Sequence, residues 1–321
     1  MPAAANAAQL VYGPVPSRRL GRSLGVDLIP LKTCTYDCVY CQLGRTTRKT
    51  VRRRRWVDPA EVMSQVRARL ESEPDVIALA GSGEPTLHTG LGEVIAGIRQ
   101  LTDVPVAVIT NGSLLSRPEV RRGLAAADIV LPSLDAPVDG LFQLVNRPHP
   151  TLRLTDVVDG MAAFRKGFAG QIWIEVMLLA GITDTPSDVG RLAELAARIA
   201  PNRVQLNTAV RPPAETFAGA VARRSLQELA GLFTPHAEVI ADVVPADGDR
   251  TSTDSDVLAL LSRRPCSVAD IATGLGIHHG EALKTATQLV AQGAAQLHTR
   301  GGRSFYTAAS AATEHHEEEM P

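Results

Sequence analysis

The sequence predicts a mixed α/β protein, an incomplete (β/α)6 TIM-like barrel followed by a small winged helix-turn-helix domain. Short apolar segments alternate with helical patterns through the first 245 of the 321 residues, and such alternation indicates parallel βαβ units. Three short helical patterns and two short strand patterns then follow a polar, turn-rich stretch, which is the order found in a winged helix. We therefore expect two domains of unequal size.

Each predicted barrel strand is a mostly apolar run of four to eight residues, which is the usual length of a buried strand. The first helix is expected to begin at Asp58, because an Asp N-cap followed by Pro59 is typical of a helix start. Prolines and glycines interrupt residues 14–21, which are expected to form no regular element. The predicted strands are residues 23–29, 76–80, 104–109, 129–134, 172–179 and 204–207, and the predicted helices are residues 58–70, 91–101, 118–126, 154–166, 187–199 and 225–232.

A change in composition marks the end of the predicted barrel domain, residues 1–245. Residues 246–254 are polar and rich in turn formers, so they are predicted to be a linker to a winged helix-turn-helix domain at residues 255–309. The predicted helices there are residues 256–263, 267–273 and 279–292, and the strands are residues 295–298 and 304–307, with Gly301 and Gly302 in the turn. The acidic residues 310–321 are predicted to be a disordered tail.

The overall composition is that of a globular protein, with 45% hydrophobic and 21% charged residues. A formal net charge of −1 argues neither for nor against a nucleic-acid partner. The first residues lack the basic and apolar regions of a secretion signal, and no apolar run approaches the length of a membrane span. We expect a cytoplasmic protein without a membrane partner.

Three of the four cysteines lie within one short loop, in the C-x3-C-x2-C spacing of Cys34, Cys38 and Cys41. The loop follows the first predicted strand, so it lies at the barrel face where such folds place their chemistry. Three thiolates here could bind one soft metal centre. A 4Fe–4S cubane usually takes four cysteines, so three would leave one iron open to another ligand. A disulfide would leave one thiol unpaired, and a zinc site would need a fourth ligand; both alternatives are less favoured.

The cysteine pattern, with Tyr40 before the last thiol, resembles the signature of the radical S-adenosylmethionine (SAM) superfamily. The resemblance implies one 4Fe–4S cluster whose open iron binds SAM. Reductive cleavage of SAM would then give a 5′-deoxyadenosyl radical that abstracts hydrogen from a substrate. An external one-electron donor of the flavodoxin or ferredoxin type is implied, because nothing in the chain resembles a flavin or second-cluster module. The stretch Ser82-Gly83-Glu84 resembles the GGE motif that holds the SAM amino group in those enzymes.

Other polar residues follow the ends of the predicted strands. Asn111, Ser133 and Asp135 are candidates for contact with the SAM ribose or the substrate, and the backbone of Tyr40 is a candidate for contact with adenine. For each of them, a hydrogen-bonded loop or core residue is an equally good interpretation. Further polar residues would face the same mouth if strand alternation holds: Glu175, Gln205, Asn207 and Thr208.

Five motifs occur in the same order as in a radical SAM group labelled Fe–S oxidoreductase: Gly13–Gly21, Leu24–Asp27, Cys34–Arg45, Ser82–Leu87 and Thr110–Ser113. That group is similar to the wyosine-forming tRNA enzyme 4-demethylwyosine synthase. The wyosine enzymes have extra cysteines for a second cluster, whereas Cys266 is the only other cysteine here, so one cluster is expected. The substrate is unidentified, with RNA or a peptide as candidates. The basic run Arg52–Arg55 could contact phosphate or form a solvated surface. The rival hypothesis is an Fe–S redox sensor that binds DNA through the winged helix.

Overall fold

The structure, a computed structural model, describes residues 9–240, 252–300 and 302–309. The predicted acidic tail, most of the predicted linker and Gly301 lie outside these residues. None of the helices within the described ranges is long and apolar enough to cross a membrane.

In chain order the strands are β1 (Val11–Ser17), β2 (Gly21–Val26), β3 (Thr33–Cys34), β4 (Arg48–Lys49), β5 (Val76–Leu79), β6 (Val106–Thr110), β7 (Ile129–Pro132), β8 (Gln171–Leu178), β9 (Arg203–Thr208), β10 (Glu238–Val239), β11 (Ala295–Arg300) and β12 (Arg303–Ala308). The α-helices are α1 (Pro59–Arg69), α2 (Leu91–Leu101), α3 (Pro118–Leu124), α4 (Asp139–Val145), α5 (Leu154–Gly167), α6 (Pro186–Ile199), α7 (Arg223–Ala230), α8 (Asp254–Leu261), α9 (Val268–Leu275) and α10 (His279–Ala291).

The main sheet has parallel strands at its centre and runs in the order β1-β2-β5-β6-β7-β8-β9-β10. Neighbouring strands from β2 to β10 are parallel, whereas β1 is antiparallel to β2 at one edge. The six predicted strands correspond to β2, β5, β6, β7, β8 and β9, so the predicted α/β fold with a parallel sheet is confirmed. Strand β10 and helix α4 are not among the predicted elements, because both are too short to show a clear period.

The prediction for residues 14–21 is wrong, because residues 11–17 form the edge strand β1. An edge strand pairs on one side only, so prolines at positions 14 and 16 are tolerated there although they lack an N–H. The pairing with β2 shifts register between Tyr12 and Val15, an irregularity that is common at sheet edges. A Cβ at Gly25 would lie 2.2 Å from the Tyr12 ring, so the ring can lie over β2 in this position only because residue 25 is glycine.

One continuous apolar core lies between the main sheet and its flanking helices. Strand residues such as Ile77 and Val108 and helix residues such as Ile95 are fully buried in it. Helix α1 begins as the sequence predicts, because the Asp58 carboxylate accepts a hydrogen bond from the Ala60 N–H. The core fixes the strand ends, and the loops that follow those ends therefore hold the site residues in defined positions.

Residues 252–300 and 302–309, here called the C-terminal unit, contain α8, α9, α10 and the antiparallel hairpin β11–β12. Capping boxes at Thr253 and Ser267 begin α8 and α9. The unit has an apolar core of its own that includes Val257, Ile271 and Leu289. Its elements follow the predicted order, with bounds that differ from the prediction by up to two residues.

The C-terminal unit covers the edge strand β1. Val15 of β1 packs against the apolar core of the unit. Two arginines add polar contacts: the Arg211 guanidinium donates to the Asp270 carboxylate on α9 across 2.8 Å, and Arg300 donates to the Thr216 carbonyl. An uncovered edge strand can pair with other chains, so this packing protects β1.

Candidate cluster and cofactor site

The cysteine loop follows β2 and passes directly beside the loop that follows β5. The Lys32 N–H donates to the Ser82 carbonyl across 2.7 Å, and the Glu84 N–H donates to the Thr33 carbonyl across 3.2 Å. These backbone bonds place the two loops on one cavity of about 400 Å³ at the ends of the parallel strands. Of the residues predicted as site residues, those lining the cavity are Cys34, Cys38, Tyr40, Cys41, Ser82, Gly83, Glu84, Asn111 and Ser133.

The three thiols of the loop suit a cluster that takes one cysteine per iron. All three are free and half-buried, and they face the same cavity. Burial raises the pKa of the Cys34 thiol to about 12, so the positive charge of a bound metal would be needed to deprotonate it. Among the described residues no three acidic, histidine or cysteine side chains are arranged around a single ion. A cubane does not require that arrangement, because its cysteines bind different irons.

Two side-chain amides lie beside the thiols. The Asn111 amide nitrogen is 3.5 Å from the Cys34 sulfur, and the Asn146 amide nitrogen is 3.5 Å from the Cys38 sulfur. Hydrogen bonds to cluster sulfurs change the reduction potential of iron–sulfur centres, so both amides are placed to adjust a cluster there. Asn146 follows the unpredicted helix α4, and nothing in its local sequence distinguishes it as a site residue.

Glu84 is a buried carboxylate with several donors around it. Its Oε1 accepts hydrogen bonds from the Thr86 N–H, the Thr86 hydroxyl and the Thr110 hydroxyl, and its Oε2 accepts one from the Asn111 N–H across 2.7 Å. Burial raises its pKa, although these hydrogen bonds oppose the shift. Oε2 accepts one hydrogen bond whereas Oε1 accepts three, so Oε2 is the oxygen with room for a further donor from the cavity.

Gly83 is the point of closest approach between the two loops. It forms a bridge with Thr33, the residue before the first loop cysteine. A Cβ at this position would lie 1.9 Å from the Thr33 carbonyl oxygen and 2.7 Å from Ile29 Cγ2. The cysteine loop can therefore lie in this position only when residue 83 has no side chain.

Asp135 is not among the cavity-lining residues; it lies behind Tyr40. Its Oδ2 accepts hydrogen bonds from the Tyr40 hydroxyl, across 2.5 Å, and from the Asn146 amide, while its Oδ1 accepts one from the Met177 N–H. Burial raises the pKa of Asp135 to about 6, against the lowering effect of these hydrogen bonds. The structure thus places Asp135 as a support for Tyr40 and Asn146. Gln205 also lies outside the cavity lining.

Glu175 is largely buried, and a buried carboxylate needs a partner. That partner is Arg19, 2.7 Å from its Oε2. The Asn207 amide donates to the other carboxylate oxygen across 2.8 Å. Burial favours the neutral acid, but the charge of Arg19 and the Asn207 hydrogen bond outweigh it, so the pKa of Glu175 is lowered. Glu175, Asn207 and Thr208 line the cavity, whereas Gln205 does not. Strand alternation accounts for Asn207 but not for its neighbour Thr208, the last residue of β9.

The basic run contacts its own protein. Arg53 donates to the carbonyls of Thr86 and His88, in the segment that follows Glu84. Arg54 lies over the Trp56 ring, and Arg55 pairs with Glu93 on α2. Arg53 therefore braces the loop that carries Glu84, which is a structural role that the charge pattern alone does not reveal.

Arg263 of the C-terminal unit extends to the loop after β5. Its guanidinium donates to the Asp27 carboxylate across 2.5 Å and to the Ser82 hydroxyl across 3.3 Å, and it lies over the Tyr12 ring. The Asp27 carboxylate also accepts hydrogen bonds from the N–H and the hydroxyl of Ser82. The C-terminal unit thus contacts the candidate SAM-binding loop, and the sequence gives no signal of this long-range pair.

We expect Arg263→Met to lower the free energy of unfolding by about 3 kcal/mol, because removing one member of a largely buried ion pair leaves the other charge uncompensated. The matched control is Arg198→Met, which breaks an exposed pair with Asp159 and should cost no more than about 1 kcal/mol. Urea denaturation of both variants measures the difference. Equal destabilisation by the two substitutions would contradict the assigned contact.

The chain belongs to the radical SAM superfamily, whose family model matches residues 28–196. Members of this superfamily are enzymes that bind a 4Fe–4S cluster and SAM, so the family predicted from the cysteine spacing is confirmed. A protein of Brachyspira hyodysenteriae named GTPase Obg is 36% identical over 291 residues, which cover 88% of this chain and 43% of that protein. A UPF0026 protein of Synechocystis is 39% identical over 203 residues, which cover 63% of this chain and 76% of that protein. The chain therefore spans less than half of the Brachyspira relative.

A solved structure with the same fold is that of Streptococcus suis SuiB bound to its precursor peptide SuiA. The two folds superpose with a TM-score of 0.51 at 13% sequence identity, over 66% of this chain and 46% of SuiB. At this identity the likeness shows the fold alone.

Proposed function

We propose that the protein cleaves SAM reductively at a single 4Fe–4S cluster held by Cys34, Cys38 and Cys41, and that the resulting 5′-deoxyadenosyl radical abstracts hydrogen from a substrate in the same cavity. The observation that supports this most directly is the contact at Gly83, which places the three thiols and the carboxylate of Glu84 on one cavity. The cluster, when bound, supplies the electron that breaks the sulfonium bond. The protein supplies the binding, the orientation and the exclusion of water.

Each polar group of the cavity has a proposed part in holding SAM. Glu84 Oε2 accepts a hydrogen bond from the SAM ammonium group. This charge-assisted bond keeps the ammonium group oriented. Ser82 holds its loop through Asp27, and Gly83 permits the loop contact. Asn111 and Ser133 lie within the cavity and are proposed to contact ribose or substrate.

Tyr40 and Asp135 act together in this proposal. Tyr40 lines the cavity and its hydroxyl donates to the Asp135 carboxylate, and its backbone is proposed to contact adenine. Asp135 lies outside the cavity lining, so we assign it to positioning the Tyr40 side chain and the Asn146 amide. Asn146 in turn lies against the Cys38 sulfur.

The proposed architecture is an incomplete (β/α)6 radical SAM barrel at residues 1–245 and a winged helix-turn-helix domain at residues 255–309. The parallel order of β2 to β9 supports the first, and three helices followed by the β11–β12 hairpin support the second. The proposed electron donor is a flavodoxin or ferredoxin, and the proposed location is the cytoplasm, where thiols stay reduced.

RNA and peptide remain the two proposed substrate classes, and the peptide in the SuiB structure belongs to SuiB alone. A DNA-binding sensor is not favoured. The exposed side of α10 includes Leu283, Lys284, Thr287 and Gln288, so it offers one cation where phosphate contact requires several. Helix α9 is also packed on β1 and is not available as a free surface.

The proposal is tested by anaerobic reconstitution with iron and sulfide, reduction with dithionite and addition of SAM, followed by chromatographic quantification of 5′-deoxyadenosine. We expect formation of 5′-deoxyadenosine that depends on each of the three loop cysteines. A protein that assembles the cluster and binds SAM but never cleaves it, with RNA or peptide present, would contradict the proposed function and favour a sensor.

A further inference from the structure

The cavity beside the candidate cluster contains more positive than negative side chains. Six cationic side chains line it, and two carboxylates, Glu84 and Glu175, oppose them. Four of the cations lie on the sheet side of the cavity and two come from the C-terminal unit. The cations are Arg18, Arg19, Lys32, Arg211, Arg263 and Arg264. A buried charge is costly unless a partner compensates it, so the excess of positive over negative side chains indicates that further anionic partners are required.

Ion pairs with the protein account for three of these arginines. Arg19 pairs with Glu175, Arg211 with Asp270, and Arg263 with Asp27, and the arginine side chains of the three pairs are between 10% and 19% exposed. These pairs use only part of the donors, because a guanidinium has five N–H groups. The Arg211 Nε, for example, is buried and has no hydrogen-bond partner among the described residues.

Arg264 differs from these three because no carboxylate within the described ranges is at salt-bridge distance from it. Burial acts to lower its pKa, but Cys266 and the Asp270 carboxylate outweigh burial and raise it, so its charge is retained. It lies between α8 and α9, it lines the cavity, and its Nε is buried without a hydrogen-bond partner among the residues that the structure describes. The cations also lie close together. Burial lowers the pKa of Arg18 to about 10, and the positive charges of Arg211, Arg19 and Arg264 act in the same direction.

We propose that this cavity takes a substrate with a carboxylate or phosphate group and that Arg211 and Arg264 hold this anionic group at the boundary between the main sheet and the C-terminal unit. Guanidinium groups are well suited to this, because their planar donors match the oxygens of both anions. The inference rests on the proposed function, since it names the chemistry of the substrate for the same cavity. The C-terminal unit then supplies part of the substrate site.

The residues that hold the anionic group belong to different elements from the cysteine loop. Arg211 follows β9 and Arg264 belongs to the C-terminal unit, whereas the thiols follow β2. A substrate held by its acidic group at the arginines would extend from there into the cavity that the thiols and Glu84 also line. The test uses SAM-loaded protein. The site of the SAM carboxylate is then already occupied, so an added anion that binds must bind elsewhere in the cavity.

The test is calorimetric titration of the reconstituted, SAM-loaded protein with inorganic phosphate and, separately, with succinate. We expect at least one of the two anions to bind, and the stronger one identifies the source of the anionic group. Arg264→Gln should weaken that binding by about tenfold or more, the loss expected for a charge-assisted contact. Arg224→Gln, which removes an exposed arginine that pairs with Glu228 on α7, is the matched control and should bind as the wild type does.

Absence of binding by either anion to the wild-type protein would overturn the proposal, and so would unchanged affinity in Arg264→Gln. If Arg264→Gln does not fold, Arg264→Lys is the variant to test, because it keeps the charge but loses the planar guanidinium. Arg264→Lys should bind the anion at least about threefold more weakly. Unchanged affinity in this variant would overturn the proposal. Parallel measurement of 5′-deoxyadenosine separates the two hypotheses. SAM cleavage without anion binding defeats this inference alone, and anion binding without SAM cleavage defeats the proposed function alone.

Discussion

Gly83→Ala is expected to lower the free energy of unfolding by at least about 3 kcal/mol, at the upper end of what overpacking costs, and to prevent reconstitution of the cluster. The added Cβ would lie 1.9 Å from the Thr33 carbonyl oxygen. Because that oxygen belongs to the backbone of the cysteine loop, it cannot rotate away as a flexible side chain would. The loop must shift, and Cys34, the next residue, must shift with it.

Urea denaturation and iron content after reconstitution measure the two effects. Gly140→Ala is the matched control, because a Cβ at that position in α4 has no heavy atom within 4 Å. Alanine in a helix is favoured over glycine by up to about 1 kcal/mol, so the control should be neutral or slightly stabilised. A Gly83→Ala protein that is as stable as wild type and loads iron normally would show that the loops are not in contact as described.

Cys38→Ala is expected to abolish cluster assembly and SAM cleavage. Removal of one of three thiol ligands would leave two irons without a protein ligand, and two cysteines are too few to retain a cubane. Iron and sulfide analysis, with electron paramagnetic resonance of the reduced protein, measures assembly. The measurement of 5′-deoxyadenosine gives the loss of activity.

Cys266→Ala is the control for this experiment. Cys266 is fully buried in the C-terminal unit, where its backbone pairs with Tyr306 of β12, and it lies outside the cavity lining. Its substitution should cost about 1 kcal/mol of stability through the small cavity it leaves, without any loss of iron. Equal iron loss in Cys38→Ala and Cys266→Ala would refute the ligand assignment.

The parallel sheet could be predicted because its strands are buried on both faces and appear in the sequence as apolar runs. Strand β5 (Val76–Leu79) is fully buried along its length, which is the signal that the sequence shows. Strand β1 could not be predicted in this way. Its prolines argue against a strand, and only the edge position and the packing of the C-terminal unit make that backbone acceptable.

The candidate site could be predicted where residues close in sequence act together. Cys34, Cys38 and Cys41 are such a group, and so are Ser82, Gly83 and Glu84, and all six line the cavity. Contacts between distant segments left no such pattern. Asn146 meets Cys38 across 108 residues, and Arg263 meets Asp27 across 236 residues. Pairs of this kind follow from the tertiary fold and not from local spacing.

Asp135 shows a further limit of the sequence. Its position after a strand end predicts a polar group at the mouth, and the strand does end there. Three hydrogen bonds from within the protein nevertheless hold its carboxylate away from the cavity lining. A strand-end position thus predicts where a residue lies, whereas its hydrogen-bond partners decide what it contacts.

The contact between Arg263 and Asp27 also constrains which substitutions can accumulate during divergence. The Asp27 carboxylate accepts hydrogen bonds from Ser82. It is also the one carboxylate among the described residues in salt-bridge contact with Arg263. Loss of either member alone leaves the other charge buried without its partner, so a homologue that lacks one of the two residues should lack the other as well.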